Sequence, residues 1–93
     1  MTIELKFDRS LVGLAGNPYG KREFEKQVNI DMPADDVVVF VFPDNIRRIA
    51  SSFVQGFFSR WVTKYGEEYV RSHIEIRTPY PELVTFIKNN IDA

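Results

Sequence analysis

Phe53, Phe57, Trp61 and Tyr65 recur at every fourth residue, and Val54, Phe58 and Val62 form a second row beside them. At about 100° per residue, these apolar side chains cover about half of a helix. Gln55, Gly56, Ser59, Arg60, Thr63 and Lys64 fall on the other half and are expected to face outward. Ser51 or Ser52 can cap the start, because a hydroxyl oxygen accepts one of the unpaired N–H groups of the first turn. Gly66 can end the helix in the left-handed position that follows a last turn. No other segment carries comparable apolar weight, so the remaining elements should pack around this one.

Val37-Val38-Val39-Phe40-Val41-Phe42 contains no polar residue. A β-branched and aromatic run this short predicts a strand buried on both faces, hence a central one. Ile3-Glu4-Leu5-Lys6-Phe7 and His73-Ile74-Glu75-Ile76-Arg77 instead alternate, which predicts strands with one wet face. Leu11-Val12-Gly13-Leu14 reads as a short strand folding back on the first. A helix is expected from Pro18 to Val28 with Tyr19, Phe24 and Val28 inward, and a further helical turn at 67–70. A last helix begins at Pro81, which suits a first helical position, and turns Leu83, Val84, Ile87 and Ile91 inward with Phe86 at the margin. Residues 89–93 are expected to fray.

Strands separated by helices of these lengths imply right-handed crossovers onto a mixed or parallel sheet. The expected fold is therefore α/β, with three to four strands packed against about three helices. At 93 residues, with 44% hydrophobic content and no repeat or linker, it is read as one domain over 1–93.

Composition narrows the function classes. A net charge of −1 argues against an electrostatic nucleic-acid binder. The absence of cysteine removes disulfides, thiolate catalysis and sulfur-ligated zinc, and suits a reducing cytoplasm. The charged residues within 1–6 are unlike a signal peptide, and no apolar run is long enough to span a bilayer. His73 is the only histidine, so no two-histidine metal site is possible, and Gly-x-Ser-x-Gly does not occur. No catalytic residue, metal or cofactor is expected. Glycines 13, 16 and 20 open the alternative of a small anionic-ligand or nucleotide site, but neither phosphate-binding glycine motif is present. Arg47, Arg48, Arg60, Lys64, Arg71 and Arg77 would meet an acidic partner or a phosphate backbone if they cluster in space, and otherwise form a solvated helix face and strand margin.

The run Val-Val-Val-Phe-Val-Phe-Pro-Asp-Asn-Ile-Arg-Arg-Ile-Ala-Ser-Ser-Phe-Val-Gln-Gly-Phe-Phe, from Val37 to Phe58, resembles the STAS-like family of small bacterial and phage domains. Leu14 to Arg22 stands where that family has a small-residue loop opening its first helix, and Ile74-Glu75-Ile76 with the closing helix extends the likeness. The resemblance implies a small STAS-like α/β domain. STAS domains proper include anti-anti-sigma factors, which bind an ATPase-type kinase and are switched by phosphorylation of a serine in an Asp-Ser-Ser-Gly motif. Ala50-Ser51-Ser52-Phe53 occupies that motif here, with Ser51 at the modified position and Ala50 and Phe53 replacing the aspartate and the glycine. The resemblance thus implies a non-catalytic module that binds another protein. The expected contact surface is the start of the main helix with its preceding loop, Asn45, Arg47, Arg48, Ser51, Ser52 and Gln55. Whether the chain is a monomer or a homodimer stays open, since Ile3–Phe7 at a sheet edge would offer backbone groups to a second copy. A phage or mobile-element inhibitor of a host enzyme is the alternative partner-binding role.

Overall fold

The computed structural model describes residues 1–92. Along the chain come β1 (Thr2–Glu4), β2 (Gly13–Leu14), α1 (Asn17–Gln27), β3 (Val38–Val41), β4 (Arg48–Ile49), α2 (Ser51–Tyr65), α3 (Glu67–Ser72), β5 (Ile74–Arg77) and α4 (Pro81–Asn89). Three strands form one parallel sheet in the order β1-β3-β5, and β2 pairs with β4 in a separate parallel ribbon. The α/β class and the central place of β3 match expectation, and every pairing is parallel. The strand order advances in one direction through α1 and then through α2 and α3. Right-handed crossovers therefore set α1 and α2 on the same face of the sheet.

Burial follows from that one-sided arrangement. Val38, Phe40, Phe42, Ile74 and Ile76 are buried beneath α2, while Val39 and Val41 are half-exposed and Glu4, Glu75 and Arg77 are exposed. The expectation that 37–42 is covered on both faces is thus corrected: Val37 is 41% exposed. The run is central yet two-layered, because no element returns over its second face among the described residues.

The aromatic ladder of α2 forms the core. Trp61 is fully buried and meets the rings of Phe24, Phe40 and Phe58 at centroid distances of 5.3, 5.8 and 6.5 Å. Phe57 meets Phe24 and Phe40 edge-on at 5.6 and 5.7 Å, geometries that suit the ring quadrupoles. Gly56, expected outward, is buried instead. Helix α1 crosses α2 there so closely that a Cβ on Gly56 would lie 2.8 Å from the Asn17 carbonyl carbon and Cα. Gly20 makes the reciprocal approach toward the Phe57 amide, at 2.7 Å for a Cβ. Helical periodicity treats glycine as neutral and so misses a face it leaves open for a neighbouring backbone.

Two local expectations also change. Neither serine caps α2. Ala50 takes the N-cap position, its carbonyl accepting from the Phe53 and Val54 amides at 3.1 and 3.3 Å. Gly66 does take positive φ (87°), but with ψ at 151° it leads straight into α3 rather than into a left-handed turn. Likewise β2 does not fold back on β1. The Asp8–Ser10 turn redirects the chain, and the Val12 and Leu14 carbonyls accept from Arg47, Arg48 and Ala50. The outer edge of the sheet beyond β1 is meanwhile filled at Lys6, whose N–H donates to Gln27 Oε1 (2.7 Å) and whose carbonyl accepts from Gln27 Nε2 (2.8 Å).

The α1–β3 connection is clamped to α2. Trp61 Nε1 donates to the Ile30 carbonyl (2.8 Å), the Met32 amide to Tyr65 Oη (3.2 Å), and Arg60 to Asn29 Oδ1 (2.9 Å). Lys64 Nζ sits 2.9 Å from Asp31 and holds its carboxyl below the usual carboxylate range, first by hydrogen bonding and then by charge. Reciprocally, Asp31 raises the Lys64 ammonium. A lowered carboxylate pKa contributes stability that is fully present above the unfolded value, about 3.9, and lost as pH falls through the folded one. A raised lysine loses its contribution only on the alkaline side. Amide protection across 29–36, taken relative to the intrinsic exchange rate at each pH, should therefore fall as pH drops below about 4. Asp31→Asn should lessen that acid-side change, with Asp36, whose carboxyl is also held low by the Val37 amide and the N-terminus, accounting for the remainder. An unaltered pH response in Asp31→Asn would remove the carboxylate from the clamp.

At the end of the chain, Leu83, Ile87 and Ile91 are buried and Val84 half-buried, as the spacing predicts. Ile91 is fully buried, so 89–92 is anchored rather than frayed; the part of that expectation concerning Ala93 lies outside the described residues. Among the described residues no helix is long and apolar enough to cross a membrane.

Candidate functional site

The β2–β4 ribbon and α4 leave between them a groove of about 600 Å³. Its walls are largely apolar: Leu14 and Ile49 from the ribbon, Leu83 and Phe86 from α4. Phe86 is 36% exposed, and Val12, just ahead of β2, is 48% exposed. Arg47, Arg48 and Glu82 supply its charged lining, and Ala50 carries it to the start of α2. The volume is in the range of ligand-binding clefts.

The six residues singled out from the sequence divide by what their side chains do. Asn45 is a brace: its Nδ2 donates to the Asp8 and Leu11 carbonyls (3.1 and 2.8 Å), and its Oδ1 accepts from Arg9 (3.1 Å). Ser52 Oγ accepts the Gly16 amide at 3.0 Å, tying the loop before α1 to the start of α2. Arg47 lies 5.4 Å over the Tyr80 ring, whose hydroxyl donates to the Asp44 carbonyl at 2.6 Å. Arg48 and Ser51 are exposed, Gln55 is half-buried, and among the described residues no side-chain hydrogen bond holds any of the three. Arg47, Arg48 and Ser51 thus gather beside the groove, whereas Asn45 and Ser52 hold the loops that present it.

The other basic residues scatter. Arg60 and Lys64 face Asp31, Arg77 pairs with Glu75, and Arg71 donates to the Lys88 carbonyl. Among the described residues neither Arg47 nor Arg48 has a carboxylate within ion-pair distance. The glycine-rich segment is likewise spoken for: the Gly16 amide goes to Ser52, and the Gly20 amide to the Gly16 carbonyl within α1. Those two N–H groups do not form an anion cradle. His73 stacks on Tyr69 at 3.9 Å, with Nδ1 2.8 Å from the Tyr69 carbonyl.

Sequence reasoning found the arginines and Ser51 but not the groove wall. Leu14, Ile49 and Leu83 read as ordinary core residues. The one legible signal was Phe86, a large apolar residue at the margin of an otherwise inward stripe.

Together these features define a small two-layer α/β domain that presents the start of its central helix beside an apolar cleft. The chain belongs to the family described as STAS-like domain of unknown function, whose family model matches residues 20–81. That match runs from Gly20, within α1, to the first residue of α4, so the groove's β4 wall lies inside it while β2 and Phe86 lie outside. No curated protein and no solved structure matched the chain.

Proposed function

We propose that this protein is a non-catalytic, protein-binding domain of the STAS-like family, and that it engages its partner through the start of α2 and the adjoining groove. The supporting observation is that two guanidiniums, Arg47 and Arg48, which have no carboxylate partner among the described residues, line the same groove as the exposed Phe86. Interfaces are rich in arginine and aromatic groups of this kind, because each contributes large contact area or directed hydrogen bonds. The resemblance to STAS domains suggests an ATPase-type kinase or related regulator as partner class, with Ser51 as the switch. Support for that role comes from the contrast between the two hydroxyls: Ser51 is exposed and unengaged among the described residues, whereas Ser52 is committed to Gly16. A phosphate on Ser51 would sit at the first turn of α2, where free N–H groups favour negative charge.

Arg48→Glu is the direct test. The Arg48 side chain makes no hydrogen bond or ion pair among the described residues, so circular dichroism and melting should not change. Capture of the partner from the native host should fall about tenfold or more, a reversal of charge at an interface costing at least about 1.4 kcal/mol. Undiminished capture would refute this surface.

A further inference from the structure

Resting on the protein-binding reading, we infer that the groove takes an extended, acidic–apolar segment of the partner, laid alongside β2 as a third strand of the β2–β4 ribbon. The ribbon's backbone makes this possible. The Val12 carbonyl accepts from Arg47 and Arg48 (2.8 and 3.2 Å) and the Leu14 carbonyl from Ala50 (2.8 Å), so both point toward β4. Successive peptide groups in a strand alternate in direction, which turns the Gly13 N–H and carbonyl to the opposite, outer side. Gly13 and Ala15 are exposed, border the groove and carry almost no side chain to shield that edge. The comparable edge beyond β1 is filled at Lys6 by the Gln27 amide, which mimics a neighbouring strand. Here no side chain among the described residues does so.

Strand addition draws affinity from main-chain hydrogen bonds and specificity from pockets that receive alternate side chains. A segment on the β2 edge would send every second side chain toward Leu83 and Phe86, which calls for large aliphatic groups at those positions. Charge complementarity selects the others. Among the described residues Arg47 and Arg48 have no carboxylate partner and Glu82 is the one acidic residue lining the groove, while the start of α2, without a side-chain cap, adds partial positive charge. An alternating leucine–aspartate sequence meets both demands. A leucine–lysine sequence meets only the first.

The test uses the full chain and a fluorescein-labelled hexapeptide of alternating leucine and aspartate, blocked at both ends. Two comparison peptides replace aspartate by lysine, or carry N-methyl groups on alternate amides. The leucine–aspartate peptide should saturably shift the amide resonances of Gly13, Ala15 and Ile49 and bind more weakly as salt rises. N-methylation, Arg48→Glu and Phe86→Asp should each weaken it at least tenfold, with circular dichroism of both variants unchanged, and the lysine peptide should produce no saturable shift. Equal binding of the acidic and basic peptides, indifference to N-methylation, or no shift at about 1 mM peptide would overturn the inference. So would a concentration-dependent dimer abolished by Phe86→Asp, which would make a second copy the occupant. If Arg48→Glu lowers partner capture but the peptide does not compete, strand addition falls while the protein-binding reading stands; unchanged capture defeats that reading itself.

Discussion

Gly56→Ala is expected to lower the melting temperature by about 10–15 °C, from a net loss of about 2 kcal/mol. Two effects oppose each other at this position. Alanine gains about 1 kcal/mol over glycine in a helix interior. Against that, the new methyl would stand 2.8 Å from the Asn17 carbonyl carbon and Cα, a backbone that cannot swing aside as a side chain can. Relief requires α1 to move off α2, which loosens the Phe24 contacts with Phe57 and Trp61. Overpacking therefore wins, and Gly20→Ala should behave alike because its Cβ would press on the Phe57 amide from the other side. Gly13→Ala is the control: its Cβ meets the Arg48 carbonyl at an ordinary 3.5 Å, and stability should change by less than about 1 kcal/mol. Urea midpoints for the three variants measure the contrast. Equal midpoints for Gly56→Ala and Gly13→Ala would mean that the crossing is not tight.

Trp61→Ala should cost about 3–5 kcal/mol, the usual range for emptying a large aromatic site. The indole is fully buried, touches rings from α1, β3 and its own helix, and hydrogen-bonds the Ile30 carbonyl. Trp61→Phe separates the two contributions. It keeps most of the apolar volume but strips the donor from Ile30, for about 1–3 kcal/mol if the carbonyl stays dry. Amide exchange in 29–36 should quicken in both variants, because the clamp on that connection is cut in each. Both stabilities are read by circular dichroism, since the chain has no other tryptophan to report by fluorescence. A Trp61→Ala cost below about 1 kcal/mol would mean that the site collapses and that the core is centred elsewhere.

Much of this architecture is legible in the residues. Phe53, Phe57 and Trp61 announce α2 by spacing alone, and the apolar purity of 37–42 places β3 between its neighbours. What spacing cannot convey is which backbone lies opposite. Gly56 reads as an outward, neutral residue until α1 is set against it. A strand as short as β4 leaves no periodic trace, so Ile46 to Ile49 reads as a plain linker, and β2, legible as a strand, is assigned the wrong partner. The groove exists only because that ribbon and α4, far apart in sequence, stop short of closing on each other. Ser51 and Ser52 look equivalent in sequence, and only the position of Gly16 distinguishes the engaged hydroxyl from the free one. Asn45 similarly reads as surface, because its three hydrogen-bond partners come from a turn over thirty residues earlier.

Stacking every crossover on one side has an outcome for how the chain tolerates change. Thr2, Glu4, Glu75 and Arg77 hang from strands whose opposite side chains fill the interior, yet they themselves support no neighbour beyond the Glu75–Arg77 pair. Replacements at these positions leave the interior undisturbed and register instead in solubility, since flanking charge keeps Val37, Val39 and Val41 from acting as adhesive surface. One side of the molecule is thus rigidly specified by its contents, and the reverse side is chemically free to be rewritten.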